Sequence, residues 1–210
     1  MTSERKNKIG FVYKFFVKND LEWMIGMNTD WECYEAFLAG NTEGFEQLVL
    51  RYKNPLIYFL CRYVEDVMTA EDLAQDAFVE VYVHKERFEK EKNFKTYLFT
   101  IGRNKAVDYL RKHKDVTALM DELPEQEDES QELERLVLRK EQSKILAAAM
   151  KKLKQEYQLV ITLVDLEDMS YADAAKVLKK TLPQIKVLLH RARKALARQL
   201  EREGYVHEVR

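Results

Sequence analysis

The fold is decided by MSYADAAKVLKKTLPQIKVLLHRARKAL, residues 169–196, where two short helical patterns meet at LKKT. Each pattern opens with a capping box, formed by Ser170 and Asp173 in the first and by Thr181 and Gln184 in the second. Apolar residues spaced by three and four give the second pattern one stripe, and small alanines let the first pattern approach it closely. We therefore predict a helix-turn-helix. The stripe consists of Leu182, Ile185, Leu189, Ala192 and Leu196, and it faces Ala174, Ala175 and Leu178.

The face opposite this stripe is basic. Residues 176–198 contain eight Lys and Arg and no acid. In a DNA-binding helix-turn-helix, the N-terminal half of the second helix reads base edges, and the cations around it hold phosphates. A solvated basic face on a structural helix is the alternative, but two capped helices, a tight turn and unopposed bases together favour DNA. The predicted DNA-binding residues are Thr181, Gln184, Lys186, Val187, Leu188, His190, Arg191, Arg193 and Lys194.

The composition favours an all-α protein. The chain has 210 residues, of which 46% are hydrophobic, with only six Gly and three Pro to make turns. Abundant Leu, Ala, Lys and Glu favour helices over a β-sandwich or barrel. No apolar run approaches the roughly 20 residues that span a bilayer, and no signal-peptide pattern occurs, so we expect a cytoplasmic protein.

Nothing in the sequence indicates enzyme chemistry. Cys33 and Cys61 lack CxxC spacing and lie in apolar helical patterns, which indicates buried reduced thiols. The four histidines show no metal-ligand spacing. The chain contains no P-loop, no G-x-S-x-G and no zinc motif. We therefore expect no catalytic residue, no metal, no cofactor and no small-molecule substrate.

Charge is segregated along the N-terminal half, although the net charge is only −1. Residues 65–80 contain six acids and no Lys or Arg, and residues 115–134 contain nine acids and no base. TAED at 69–72 has the form of a capping box with Thr69 as N-cap, and it predicts a helix with an acidic stripe. A further predicted helix at 94–113 mixes aromatic residues with Lys and Arg, a combination that suits single-stranded nucleic acid.

These motifs together resemble those of a known family. LEDMSYADAA and HRARKAL resemble region 4, the promoter-binding domain, of bacterial extracytoplasmic-function (group 4) RNA polymerase sigma factors. Upstream, AEDLAQDAFVEVY and FKTYLFTIGRNKAVDYLRKHK resemble region 2 of the same family. The resemblance covers residues 30–114 and 135–203, which are two different domains in the order that the family has.

The resemblance implies an all-α fold of two helical domains, a region 2 bundle and a region 4 helix-turn-helix, joined by a flexible acidic linker. Residues 1–28 are aromatic and basic and are open to two interpretations. They form an amphipathic segment that touches a membrane or a partner, or an upstream extension with translation starting at Met27. The implied bounds are 1–29 for the extension, 30–114 for region 2, 115–134 for the linker, 135–203 for region 4 and 204–210 for a tail.

The resemblance also implies partners. In the family, region 2 docks on the β′ clamp helices of core RNA polymerase and opens the −10 element of promoter DNA, whereas region 4 sits on the β flap and reads the −35 element. Many relatives are held by an anti-sigma factor, and the hydrophobic and acidic surface permits one here. The implied polymerase contacts are Asp72, Gln75, Asp76 and Glu80. The implied residues for binding and melting the −10 element are Tyr97, Arg103, Asn104, Lys105, Arg111 and Lys112.

The helix-turn-helix departs from the family pattern at two places. Lys179 and Lys180 stand where relatives often have Gly and an aliphatic residue, which leaves the geometry of the turn open. Val187 and Leu188 stand where relatives have polar or basic residues. We predict that an exposed Val187 contacts a thymine methyl of the −35 element, the alternative being contact with a protein such as an anti-sigma factor.

A different function competes with the sigma factor. The chain would then be a sigma-independent helix-turn-helix transcriptional regulator with an N-terminal helical interaction domain. The acidic motif at 70–82, followed by the aromatic and basic helix at 94–113, argues for the sigma factor.

Overall fold

The computed structural model describes residues 29–64, 66–117 and 141–202, which are helices joined by short turns, without a strand among them. The predicted all-α class is confirmed for these residues. They form two compact units, with residues 29–117 in one and residues 141–202 in the other. The predicted N-terminal extension with its alternative start at Met27, most of the linker and the C-terminal tail lie outside the described residues.

The N-terminal unit is a small helical bundle. α1 begins at a complete capping box, in which Thr29 Oγ1 accepts from the Glu32 N–H and Glu32 Oε2 accepts from the Thr29 N–H. It ends before Gly40, whose φ of +97° is a conformation that glycine adopts readily. α1 packs on α2, α2 packs on α3 and α4, and α3 packs on α4. The elements are α1 (Asp30–Leu38), α2 (Thr42–Leu60), α3 (Val67–Val83), a 3-10 turn (Lys85–Arg87) and α4 (Phe94–Thr117).

α3 begins three residues earlier than predicted, because Asp66 and not Thr69 is its N-cap. The Asp66 carboxylate accepts from the N–H groups of Met68 and Thr69, at 3.3 and 2.7 Å, and from the Thr69 hydroxyl at 2.6 Å. The hydrogen bonds from Thr69 hold the pKa of Asp66 below its ordinary value. A carboxylate that accepts three hydrogen bonds is a better cap than a hydroxyl that accepts one, so the prediction of Thr69 was wrong.

Aromatic side chains form the core beneath the 3-10 turn. Tyr34 of α1 is fully buried, and its ring lies 4.7 Å from that of Phe88 and 5.6 Å from that of Phe94, between centroids. Its hydroxyl donates to the Lys85 carbonyl oxygen at 2.7 Å, and burial raises the pKa of this phenol. α1 therefore holds the segment between α3 and α4 against the bundle.

The C-terminal unit is built around its last helix, α8. α8 packs on α5, α6 and α7, and it buries Ile185, Leu189, Ala192 and Leu196. Leu182, the fifth residue of the predicted stripe, is instead 42% exposed. It is the first residue of α8, where the side chain projects toward the open N-terminal end of the helix. The elements are α5 (Glu141–Lys151), α6 (Gln155–Ile161), a π-helical turn (Thr162–Leu166), α7 (Tyr171–Leu178) and α8 (Leu182–Arg202).

The turn between α7 and α8 is made without glycine. Lys179 adopts the left-handed conformation, with φ +52° and ψ +44°, at the position where the family resemblance implies Gly. The Lys180 N–H donates to the Ala175 carbonyl at 3.0 Å, and the Lys179 N–H donates to that of Lys176 at 3.3 Å. These two bonds form a Schellman motif, which satisfies carbonyls at the end of α7. Lys179 in place of Gly therefore keeps the turn, but it puts a non-glycine residue in a disfavoured backbone conformation.

Replacing Lys179 with Gly is expected to stabilise the C-terminal unit by about 1 kcal/mol, because a non-glycine residue in the left-handed region costs about 1–2 kcal/mol. Urea denaturation followed by circular dichroism measures this change. The control is Lys176→Gly inside α7, which should cost about 1 kcal/mol. A Lys179→Gly variant that is no more stable than the parent would contradict the reading of this turn.

Candidate functional sites

α8 starts at the predicted capping box. Gln184 N–H donates to Thr181 Oγ1 at 3.4 Å, and Thr181 N–H donates to Gln184 Oε1 at 2.7 Å. This box is confirmed. The box of α7 is only half formed, because Asp173 accepts from the Ser170 hydroxyl rather than from its N–H. The amide oxygen of Gln184 is committed to the cap, which leaves the NH₂ group as the end that can face a base edge.

Most of the predicted DNA-binding residues share one exposed face of α8. Val187 is 51% exposed at the centre of this face, directly opposite the buried stripe. Leu188 is half-buried at its edge. A long cationic face with an apolar centre at the N-terminal half of a helix suits the major groove, where phosphates attract the cations and thymine methyls attract apolar groups. The exposed members on α8 are Gln184, Lys186, Val187, His190, Arg191 and Lys194, and Thr181 is exposed at the N-cap just before the helix.

Arg193 does not lie on this face. Its guanidinium makes a bidentate ion pair with Asp165 of the π-helical turn, in which Arg193 Nε donates to Asp165 Oδ2 at 3.0 Å and Nη2 donates to Oδ1. Lys180, another base of the cluster, pairs with Glu156 at 2.9 Å. Helical spacing gives the position of a residue around its own helix, but it does not reveal an acid that tertiary packing brings from another element.

α3 carries an exposed stripe that is acidic at its start and apolar at its end. Asp72, Gln75 and Asp76 are exposed, as predicted for a partner-binding face. Val79 and Val83 continue the same stripe and are 52% and 65% exposed. The sequence analysis missed both valines because it followed only the charges, although their spacing of i+7 and i+11 from Asp72 was visible. We refer to Asp72, Asp76, Val79 and Val83 as the α3 stripe.

Glu80 and Lys105 neutralise each other. Lys105 Nζ lies 2.9 Å from Glu80 Oε2 across the contact between α3 and α4, and both side chains are partly buried. One of them is a predicted polymerase contact and the other a predicted DNA contact. The structure thus links residues that the sequence analysis assigned to two different partners.

The other predicted −10 residues differ in how accessible they are. Arg111 and Lys112 are exposed, and Arg111 contacts Asp108 at 3.2 Å. Tyr97 is half-buried, and its ring centroid lies 5.3 Å from that of Phe88. These three side chains extend over one long helix, α4, so a strand that follows α4 could meet an aromatic ring and two cations.

Arg103 and Asn104 are half-buried and contact each other, with 3.3 Å between Arg103 Nη1 and Asn104 Oδ1. Arg103 also faces Tyr63, whose pKa burial raises to about 12 against the opposing effect of this guanidinium. The Nε atom of Arg103 is buried and has no hydrogen-bond partner among the described residues. The side chains of Arg103 and Asn104 therefore lie partly below the surface of the N-terminal unit.

The described part of the chain carries neither a cluster of metal-ligating residues nor a membrane-spanning helix. No cluster of three or more His, Cys, Asp or Glu there could hold a metal ion. None of the helices described is long and apolar enough to cross a membrane.

Comparison with known proteins identifies both units by sequence. The family profile of sigma-70 region 2 matches residues 48–116, and that of sigma-70 region 4 matches residues 143–196. The ECF RNA polymerase sigma factor SigW of Bacillus subtilis is 32% identical over 180 residues, covering 77% of this chain and 91% of SigW. The RNA polymerase sigma-H factor of Pseudomonas aeruginosa is 28% identical over 187 residues, covering 85% of this chain and 97% of that protein.

Solved structures show the same fold. CnrH in complex with the cytosolic domain of CnrY has a TM-score of 0.59 and 25% identity, covering 83% of this chain and 98% of CnrH. The sigma factor RpoE in complex with the anti-sigma factor NepR from Bartonella quintana has a TM-score of 0.58 and 24% identity, covering 76% of this chain and 98% of RpoE. Because the two sigma-70 regions follow each other in one chain, and a relative at 32% identity spans most of it, the protein belongs to the extracytoplasmic-function RNA polymerase sigma factors.

Proposed function

We propose that this sigma factor uses separate surfaces for its separate partners: the α3 stripe for core RNA polymerase, α4 for the −10 element and the exposed face of α8 for the −35 element. The observation that carries this proposal is the basic face of α8 with Val187 at its centre. The protein's part is binding and DNA opening rather than covalent chemistry, and its place is the cytoplasm, where it meets polymerase. The proposed bounds are those of the family, 30–114 and 135–203 around a linker at 115–134.

The α3 stripe suits a protein partner. Interfaces combine an apolar centre with a polar rim, and the exposed valines beside Asp72 and Asp76 have that form. The acids would steer a basic partner surface, such as the β′ clamp helices, into register. Gln75 lies on the same exposed side of α3 and joins the proposed contact, whereas Glu80 contributes only if its pairing with Lys105 is broken.

The α8 face suits duplex DNA. Lys186, Arg191 and Lys194 would hold phosphates, and Thr181, Gln184 and His190 lie on the same face for polar contacts. Leu188 supports Val187 from the edge of the face. Arg193 is left out of the proposed contact surface, because its guanidinium is bound to Asp165. The β flap is the proposed polymerase contact of this unit, by family resemblance alone.

The α4 surface suits a single strand. Arg111 and Lys112 are exposed and would follow the phosphates, and Tyr97 offers an aromatic ring for stacking. Arg103 and Asn104 would supply polar groups beneath an unstacked base. A base that leaves the duplex costs a few kcal/mol, which stacking at about 1–3 kcal/mol per base can offset.

Replacing Val187 with Ala is expected to lower the preference for thymine at one −35 position about fivefold, because it removes the methyl groups that would contact the thymine methyl. The experiment compares transcription by the holoenzyme from promoters that differ at single −35 bases. Lys186→Ala is the control. It should weaken binding to all −35 sequences alike, and the salt dependence of binding should fall by the amount expected for the loss of about one phosphate contact. An unchanged base preference in the Val187 variant would assign this residue to a protein contact instead.

Replacing Glu80 with Gln is expected to raise the affinity of the full-length protein for a single-stranded −10 oligonucleotide about threefold at low salt. Without the paired carboxylate, Lys105 can bind one further phosphate, which should steepen the salt dependence of log K by about 0.7. Fluorescence anisotropy across a salt series measures both quantities. Asp76→Asn makes the same change in net charge at an exposed position of α3, so equal effects from the two variants would refute a specific role for the pair.

An anti-sigma factor is a further proposed partner. Exposed valines on α3 and α8 suit a protein surface, and the similar protein CnrH was solved with the cytosolic domain of CnrY. An affinity pull-down that recovers no inhibitory protein under any growth condition would count against this partner.

The proposed function is tested by in-vitro transcription with purified core polymerase, this protein and fragmented genomic DNA. Discrete starts that depend on the protein and share −10 and −35 elements would support the proposal and define the promoter. If the core polymerase is active with a housekeeping sigma factor but gives no such starts with this protein, the proposal is contradicted. DNA binding by the isolated protein would then test the competing role as a sigma-independent regulator.

A further inference from the structure

We propose that Asp165, Tyr171 and Arg193 form a positioning node that sets the angle of α8 and thereby the recognition of the −35 element, without touching DNA. This inference rests on the proposed −35 role of α8. We refer to these three residues as the Arg193 node.

The node joins three elements through one guanidinium. Asp165 belongs to the π-helical turn, Tyr171 is the first residue of α7, and Arg193 lies in the middle of α8. Arg193 Nε donates to Asp165 Oδ2 at 3.0 Å, and the parallel bond from Nη2 to Oδ1 completes a bidentate pair. The side chains are only 23% and 10% exposed, so water screens the pair weakly.

The pKa of Arg193 reports the same contacts. It is raised above the ordinary value chiefly because Asp165 accepts its hydrogen bonds, against a lowering by burial, with a smaller raising contribution from the neighbouring Tyr171. The guanidinium therefore stays charged, is bound by the element before the helix-turn-helix and lies near the first residue of α7. A side chain held in this way is not available to a phosphate.

Apolar packing holds α8 against the unit, but it does not by itself select one angle. The buried face of α7 consists of Ala174 and Ala175, which are small and allow close approach, and of Val177 and Leu178. The buried stripe fixes which side of α8 faces inward, but hydrophobic contact is not directional. A planar, bidentate ion pair is directional, since both of its hydrogen bonds weaken when either helix rotates. The Arg193 node therefore supplies the angular constraint that the stripe lacks.

The π-helical turn provides the acid. The Glu167 N–H donates to the Thr162 carbonyl at 2.9 Å, a bond across five residues that widens this turn by comparison with an α-helix. Widening changes the direction in which Asp165 leaves the backbone, and π-helical turns are frequent at functional sites. The motifs LVDL, MSYADAA and HRARKAL each contribute one member of the node. Part of the family resemblance thus reflects positioning rather than DNA contact.

The test uses full-length protein in holoenzyme and two linear promoter fragments, one with the −35 element mapped by in-vitro transcription and one with that element shuffled. The quantity measured is the ratio of transcription from the two fragments. Asp165→Asn and Arg193→Met should each lower this ratio about tenfold, and the double variant should lower it no further, because both changes break the same contact. Tyr171→Phe keeps the ring and should lower the ratio about twofold.

Arg193→Lys separates positioning from phosphate binding. Lysine keeps the charge but cannot make the bidentate pair, so positioning predicts a loss like that of Arg193→Met, whereas a phosphate contact predicts near-normal function. An Asp165→Asn variant that binds all DNA more tightly, or a double variant with additive losses, would also overturn the proposal. Thermal melting followed by circular dichroism shows whether each variant is folded. If Asp165→Asn does not fold, Tyr171→Phe and Arg193→Lys still decide whether the node has a positioning role.

Transcription with the unmodified protein separates a failure of the positioning role from a failure of the proposed −35 role of α8. If the parent transcribes both fragments equally, α8 does not read a −35 element, and the proposed function of that surface is wrong. If the parent discriminates but Arg193→Lys and Tyr171→Phe discriminate equally well, only the positioning role is wrong.

Discussion

Replacing Val79 and Val83 together with Lys is expected to lower the affinity for core RNA polymerase at least about thirtyfold. Hot-spot residues near the centre of an interface cost about 2 kcal/mol or more when they are replaced, and two added cations would also oppose the basic partner that Asp72 and Asp76 suit. Both valines are more than half exposed, so the fold should not be weakened, and Lys favours a helix more than Val does. Titration of labelled protein with core polymerase measures the affinity.

The matched control for this experiment is Leu50→Lys. Leu50 is an apolar residue of α2 that is 60% exposed, and it does not belong to the α3 stripe. Its replacement adds a cation without touching the proposed docking surface, and the affinity should stay within about twofold. If Leu50→Lys weakens binding as much as the valine variants do, net charge and not the α3 stripe governs the interaction with polymerase.

Replacing Gly44 with Ala is expected to destabilise the N-terminal unit by about 2–3 kcal/mol, the upper part of the usual range of about 1–3 kcal/mol for overpacking. A Cβ at position 44 would lie 2.2 Å from the Cys33 carbonyl oxygen and 3.1 Å from the Phe37 nitrogen, both of them backbone atoms of α1. α1 could not yield without leaving α2. In an unconstrained helix the same change would stabilise by about 1 kcal/mol, so the sign of the effect tests the close approach.

Gly102→Ala is the matched control for Gly44→Ala. Its Cβ would lie 2.9 Å from Leu56 Cδ1, the end of a side chain that can change rotamer, so a smaller loss is expected. Urea denaturation, followed by the fluorescence of Trp31 in a Trp23→Phe background, measures both. Equal losses, or a gain for Gly44→Ala, would contradict the packing of α1 on α2. If Gly44→Ala forces α1 away from α2, Tyr34 should also lose its contact with the segment before α4. Opening of the −10 element should then be impaired.

Periodicity and caps were sufficient to predict the helix-turn-helix, the basic face of α8 and the helices that correspond to α3 and α4. These features depend on residues three or four apart, which the sequence places side by side once a helix forms. The capping box of Thr181 and Gln184 is an example, since both partners lie within one turn. Asp66 shows the limit of this approach, because it caps α3 in place of the predicted Thr69 by accepting from the N–H groups of Met68 and Thr69.

The sequence by itself determined the all-α class, the order of the two sigma regions and the side of α8 that is exposed. Only the tertiary structure decided which charges are available to partners. Arg193 is bound by Asp165, 28 residues away, and Lys105 by Glu80 on another helix. Helical spacing fixes the direction of a side chain around its own axis, whereas an ion pair depends on how closely two helices approach. That approach is set by packing at residues such as Gly44 and the α7 alanines, and no local pattern contains it.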